Sequence, residues 1–202
     1  MRDRMMRSVV ILGLSFLGAW GAGGSCFADV YTIDPAHSSL GFAAKHLMVS
    51  TVTGEFTGYS GTVQFDPTDP AKTEVSVTIE VKSIDTRVPD RDKHLKGTDF
   101  FDAETFPQIT FKSTGVTEVK MKNGYVILGD LTMHGVTQKI SIPATIEGPI
   151  KSPFGTEVIG VSAEFTINRQ DYGISYNKQL DNGGWMVSND VKISVNLEAS
   201  KK

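Results

Sequence analysis

The residues of this chain that could do metal or acid–base chemistry are few. Four histidines, His37, His46, His94 and His134, and one cysteine, Cys26, are its softest ligands. Metal sites usually announce themselves by short ligand spacings, and these histidines have none. There is no G-x-S-x-G elbow and no Gly-rich phosphate cradle. Asp99, Asp102 and Glu104 lie close in sequence, but carboxylates on a short polar helix are ordinarily solvated. His37 in Asp34-Pro35-Ala36-His37-Ser38 reads as a turn residue, and His134 before Gly135 reads as a hairpin tip. No catalytic residue and no metal ligand is assigned, and no cofactor is expected.

A different chemistry, the capture of a ligand head group, is concentrated in one stretch. Between Arg91 and Phe106 stand four acidic residues, three Lys or Arg, one histidine and three phenylalanines. That run is too apolar for a solvated loop and too charged for a core strand. It reads as a short helical plug, entered at Pro89 to Asp92, where a carboxylate suits the positive end of the helix dipole. A second helical start is expected at Thr98. The plug would turn Leu95, Phe100, Phe101 and Phe106 inward and leave Arg91, Asp92, Lys93 and Lys96 wet. Arg91 and His94 are its head-group donors: guanidinium matches phosphate geometry, and imidazole donates to phosphate or carbonyl. A local role competes for Arg91, in which it pairs with Asp85, Asp90, Asp92 or Asp99 and fastens the plug.

Elsewhere the chain alternates with period two. Val75, Val77, Ile79 and Val81 alternate with polar residues, as do Ile140 to Ile146, Ile159 to Ile167, and Ile193 to Leu197. Turn signals separate these runs, among them Asp66-Pro67, Asn123-Gly124, His134-Gly135 and Ser152-Pro153-Phe154-Gly155. Asn123-Gly124 predicts a tight hairpin. Strands are expected to start near Val30, Leu40, Gly54, Thr73, Gln108, Tyr125, Lys139 and Glu157, with a last one from Asp190. So many strands and no long helix mean an all-β barrel or sandwich. A closed barrel of about eight strands is either filled by side chains or holds one small ligand. Gly41, Ala43, Ala44, Gly58, Gly61, Gly129, Gly160 and Ala163 interrupt the strands, and inward-facing ones would leave room for a guest. The candidate apolar wall is Phe42, Phe56, Val77, Ile79, Phe100, Phe101, Phe106, Phe111, Ile127, Leu131 and Phe165; each of these also suits plain core packing.

Residues 1–28 read as a secretory signal peptide: Arg2, Arg4 and Arg7, then an apolar run from Val9 to Trp20, then small residues, with cleavage expected after Ala28. The apolar run is shorter than the roughly 20 residues a bilayer span needs. Cys26 would leave with the signal, so the mature domain, residues 29–202, has neither thiol nor disulfide. Setting aside the leader's three Arg and one Asp moves the net charge from -3 to -5. A mildly acidic domain with no basic stripe argues against nucleic acid.

The motifs Tyr31-Thr32-Ile33-Asp34-Pro35-Ala36-His37-Ser38-Ser39, Phe42 to Gly54, Gly61 to Pro67, Ser83-Ile84-Asp85-Thr86, Arg91-Asp92-Lys93-His94-Leu95, Asp99-Phe100-Phe101-Asp102, Leu131 to Thr137, and Asn168-Arg169 with Tyr172-Gly173-Ile174 resemble the YceI family of secreted polyisoprenoid-binding proteins. The resemblance runs over essentially the whole mature chain. It departs at Asn189-Asp190, Lys139 and Asn196. It implies an extended eight-stranded antiparallel lipocalin-like barrel whose apolar interior takes up an isoprenoid lipid, of polyprenyl phosphate or quinone type. The expected function is a periplasmic carrier, not an enzyme, with transient contact to the membrane or a membrane enzyme. The oligomeric state is open, a homodimer included. A second reading is a metal-dependent barrel enzyme using the histidines on a small substrate.

Overall fold

The computed structural model describes residues 28–181 and 183–201; the expected signal peptide and Cys26 lie outside the described residues. Among the described residues ten strands, β1 (Asp29–His46), β2 (Ser50–Phe56), β3 (Tyr59–Phe65), β4 (Glu74–Glu80), β5 (Ile84–Asp85), β6 (Gln108–Glu118), β7 (Gly124–Met133), β8 (Val136–Lys151), β9 (Glu157–Asn168) and β10 (Val187–Lys201), accompany one α-helix, α1 (Pro89–Lys96). Eight strands run antiparallel in the order β10-β9-β8-β7-β6-β4-β3-β1, and β10 pairs back to β1, closing the barrel. β2 and β5 extend the sheet beyond β1. Closure leaves no free edge along the eight-strand circuit, which is how antiparallel sheets avoid edge-to-edge pairing.

Two expected strands are one. The starts near Val30 and Leu40 both belong to β1, which is interrupted rather than broken: its partner residue steps from Glu198 to Asn196 while β1 advances from Asp34 to Ser39. The extra residues bulge out at Pro35, which has no N–H to give the ladder. Asp34 stabilises the bulge, accepting from Ala36 N at 3.0 Å and lying 2.7 Å from His37 Nδ1. Conversely, the strand expected from Gly54 is two: the lower part of β1 pairs with β3 and its upper part with β2.

Hairpin tightness falls elsewhere than Asn123-Gly124. The β6–β7 connection is a wider loop, with Val119 N donating to Gly124 O at 3.0 Å. The two-residue turn is His134-Gly135 between β7 and β8, with φ 50° and 73°, the paired positive values that match strand twist. The second helical start at Thr98 does not form either. Phe100 N and Asp102 N both donate to Gly97 O, and Asp102 turns left-handed at φ 45°, so residues 98–105 are consecutive turns.

The two ends of the barrel differ. At the end where β1 begins, Tyr31, Val63, Phe65, Tyr125, Ile146 and Ile159 are all buried and fill the interior. Tyr31 donates its hydroxyl to Glu157 at 2.5 Å, and burial together with that carboxylate pushes its pKa well up. At the other end a second cluster of Val81, Phe100, Ala103, Ile109, Met133, Tyr172 and Ile174 packs the plug onto the rim.

Candidate ligand cavity

Between those two packed ends the barrel is hollow. A cavity of about 220 Å³ is enclosed by inward residues of β1, β2, β4, β6, β7, β8, β9 and β10 and capped by Leu95, Phe100 and Phe101 of the plug. Alternation produces it: the dry face of each strand points in, and Ala144 and Ala163, direct partners across β8 and β9, hold their backbones at the wall without filling the middle. Gly61 and Gly129 make no such room. A Cβ at Gly61 would lie 2.2 Å from Ser76 O, and one at Gly129 2.5 Å from the Phe111 ring, so both permit close approach.

Ten of the eleven expected wall residues border the cavity: Phe42, Phe56, Val77, Ile79, Phe100, Phe101, Phe111, Ile127, Leu131 and Phe165. Phe106 does not. Its ring packs at 4.7 Å on His134 and against Gly135, because the turns at 98–105 carry it over the β7–β8 hairpin tip instead of inward. Three of the lining phenylalanines form a train, Phe42 to Phe56 at 5.7 Å and Phe56 to Phe101 at 5.9 Å, geometry that aromatic rings favour.

Neither expected head-group donor is part of the cavity wall. Arg91, Asp92 and Lys96, expected wet, are half-buried, and the first two turn onto Thr86, which is 2% exposed. Arg91 Nε donates to Thr86 Oγ1 at 2.8 Å and Nη2 to Thr86 O at 2.9 Å, so it binds a threonine rather than any of the four aspartates considered. His94 Nε2 lies 2.9 Å from Asp99 Oδ2, and its ring meets Phe100 and Tyr176 edge-on at 5.0 and 5.1 Å. Phe100 therefore separates His94 from the cavity. The histidines as a whole are scattered: His37 sits in the β1 bulge, His46 at the end of β1, His94 on α1 and His134 in the β7–β8 turn. Among the described residues His37 alone has two carboxylates in reach, Asp34 at 2.7 Å and Glu198 at 3.9 Å, and its side chain is exposed.

Family membership follows from the whole chain rather than from one site. A model of the YceI-like domain matches residues 31–199, the full extent of the barrel. The chain belongs to the YceI-like family. A UPF0312 protein of Staphylococcus aureus is 42% identical over 171 residues, covering 84% of this chain and 96% of that protein. The crystal structure of BcnA from Burkholderia cenocepacia superposes with a TM-score of 0.73 at 26% identity, covering 83% of this chain and 99% of the other. A polyisoprenoid-binding domain from Saccharophagus degradans shares the fold, with a TM-score of 0.65 at 17% identity over 87% of this chain and 99% of that one.

In this YceI-like barrel one wall residue is neither apolar nor expected from the sequence: Arg169, 5% exposed. Burial lowers its pKa, and its partners are neutral: Nε donates to Ser188 O at 3.0 Å and Nη1 to Ile174 O at 2.7 Å. The guanidinium thus ties the loop after β9 to the start of β10 and closes that corner of the cavity. The signal was present, since 169 continues the inward parity of Ile159, Val161, Ala163, Phe165 and Ile167. Next to it Tyr172 is 2% exposed, and burial, with Asp171 nearby, pushes its pKa up to about 12.

Proposed function

We propose that this YceI-like protein is an exported, periplasmic carrier that holds an isoprenoid lipid, of polyprenyl phosphate or quinone type, inside the barrel. The observation that carries the reading is the cavity itself, closed round by strands and lined almost wholly by aliphatic and phenylalanine side chains. Such a space gains about 25 cal/mol for each Å² of apolar ligand surface it removes from water. A long hydrocarbon chain supplies that area without strong polar contacts, and ordering costs offset part of it. An eight-stranded barrel is the architecture that has room for one such guest. The polyisoprenoid-binding domain of the same fold supports the ligand class, and the basic, apolar N-terminal segment supports export.

The head group meets the plug. His94 is the better placed of the two donors, since Phe100 touches both its ring and the cavity. Arg91 has already committed two donors to Thr86 and serves to seat α1. The reading as a histidine-dependent metalloenzyme has less support, because among the described residues no histidine borders the cavity.

The test is mass spectrometry of organic extracts from protein purified out of the periplasm. A reproducible isoprenoid near one per chain is the expected result. An empty barrel carrying a stoichiometric metal would replace the carrier with the enzyme, and recovery from the cytoplasmic fraction alone would remove export.

A further inference from the structure

The β1–β2 turn breaks two folding rules at once. Leu47 and Met48 occupy its central positions at φ 50° and 63°, closed by Val49 N donating to His46 O at 3.2 Å. Turns with both central residues at positive φ favour Asn-Gly, because an ordinary side chain is strained there. The same residues are wet: Leu47 is 37% exposed, Met48 68% and Val49 82%. A tip that is strained and greasy lowers both stability and solubility, and local violations of this kind mark function.

The tip also has apolar company. Leu47 N donates to Met186 O at 2.8 Å, which brings Trp185, 50% exposed, to the same corner. His46 pairs with Val187, and Val187 and Ala44 both line the cavity, so apolar surface runs from the cavity wall out to the tip. Lys45 and Lys178 flank it, the latter through Met186 N donating to Lys178 O at 2.9 Å. Among the described residues neither lysine forms an ion pair with a carboxylate. Asp181 is the acid of the same loop. A second greasy tip, with Phe154 at 94% exposure, lies at the opposite end of the barrel, where the interior is filled.

We infer that Leu47, Met48, Val49 and Trp185 form a bilayer-docking surface at the plugged end of the barrel. The three aliphatic side chains enter the boundary between headgroups and acyl chains, Trp185 lies at the interface, and Lys45 and Lys178 extend toward anionic headgroups. The occupant is a lipid bilayer, since an isoprenoid chain passing between membrane and cavity across open water would wet its whole length. Docking at the corner that adjoins the wall avoids that. The inference rests on the carrier reading, and it adds where the carrier loads.

The experiment is flotation of the full mature chain with vesicles of phosphatidylethanolamine and phosphatidylglycerol, beside L47N/M48G and F154S. Asn-Gly suits the turn, so L47N/M48G keeps or raises the melting temperature. Its partition coefficient should fall about tenfold, the loss of about 1.4 kcal/mol, while F154S floats as the wild type does. The inference is overturned if the wild type does not float, if L47N/M48G floats equally well, or if F154S loses as much. It is also overturned if the wild type sediments as a dimer that L47N/M48G dissociates, which would make a second copy the occupant. Extracts of the same preparations separate the two readings. Isoprenoid without flotation removes docking and leaves the carrier; tip-dependent flotation with an empty barrel removes the carrier and leaves docking.

Discussion

Asp92 accepts two hydrogen bonds from Thr86, one from its N–H at 2.8 Å and one from its hydroxyl at 2.5 Å, while Arg91 donates to the same threonine from the next position on α1. This clasp, rather than any burial of α1 itself, which has no fully buried residue, seats the helical part of the plug. Thr86→Val keeps the shape and removes the hydroxyl. Amide exchange over 89–96 should then accelerate while β7 and β8 keep their protection, a local opening of the kind a clasp controls. Uniform acceleration across the barrel would instead assign Thr86 to the core.

The clasp has a pH signature. The hydrogen bonds from Thr86 hold the Asp92 carboxyl below its usual range, with partial burial opposing them. A depressed carboxylate stabilises the fold above its ordinary value of about 3.9 and loses that contribution as pH falls through the lower folded value. The stability difference between wild type and Asp92→Asn should therefore be full at neutral pH and shrink toward zero in acid, measured by urea unfolding at several pH values. A difference that keeps its full size as the solution is made strongly acid would contradict the assignment.

Gly61 lets β3 and β4 approach. A Cβ there would meet Ser76 O at 2.2 Å, Ile33 Cδ1 at 2.9 Å and Val77 Cα at 3.0 Å. Two of those atoms are backbone, so the strain cannot be relieved by a rotamer change. Gly61→Ala should cost about 1–3 kcal/mol, as overpacking usually does, read as a lower urea midpoint at unchanged m. Gly155, whose Cβ would meet nothing within 4 Å but whose φ is 85°, separates packing from backbone conformation: Gly155→Ala should lose stability through backbone strain alone.

Arg169→Met preserves the aliphatic stem and removes the donors that Ile174 and Ser188 carbonyls require. Each buried acceptor left unpaired costs about 1–3 kcal/mol. The loop from Gly173 to Met186 should become the first site of limited proteolysis, with loss of stability on urea unfolding. If Arg169→Met is as stable and as resistant as wild type, the guanidinium is not what closes that corner.

Ala144 and Ala163 face each other across β8 and β9 at the cavity wall. Ala163→Trp would fill the space that an isoprenoid needs, and a hollow site tolerates added volume better than a packed one. Bound lipid should drop at least about tenfold, a change of about 1.4 kcal/mol, with the melting temperature held or raised. Unchanged loading by mass spectrometry would place the lipid elsewhere.

Local pattern carried most of the architecture. Alternation at Val75 to Val81, Ile159 to Ile167 and Ile193 to Leu197 determined which side chains turn inward, because successive residues of a strand must point to opposite faces. The charged, phenylalanine-rich run determined that something other than a strand caps the sheet, and the chain from Tyr31 onward determined the family. Tertiary structure alone decided the rest. Whether Val30 and Leu40 start one strand or two depends on β10, whose ladder resumes in a shifted register past the bulge at Pro35 and so keeps both halves on one partner strand. Phe106 leaves the wall because the turns after α1 set its direction, and Arg91 meets Thr86 because the turn before α1 sets the helix's entry; turn geometry depends on backbone angles such as those of Asp102 and Arg87, which residue type does not fix. That the barrel is solid at Tyr31 and Phe65 yet hollow beside Ala144 and Ala163 is a matter of summed volumes from strands far apart in the chain, a quantity no window of neighbouring residues contains.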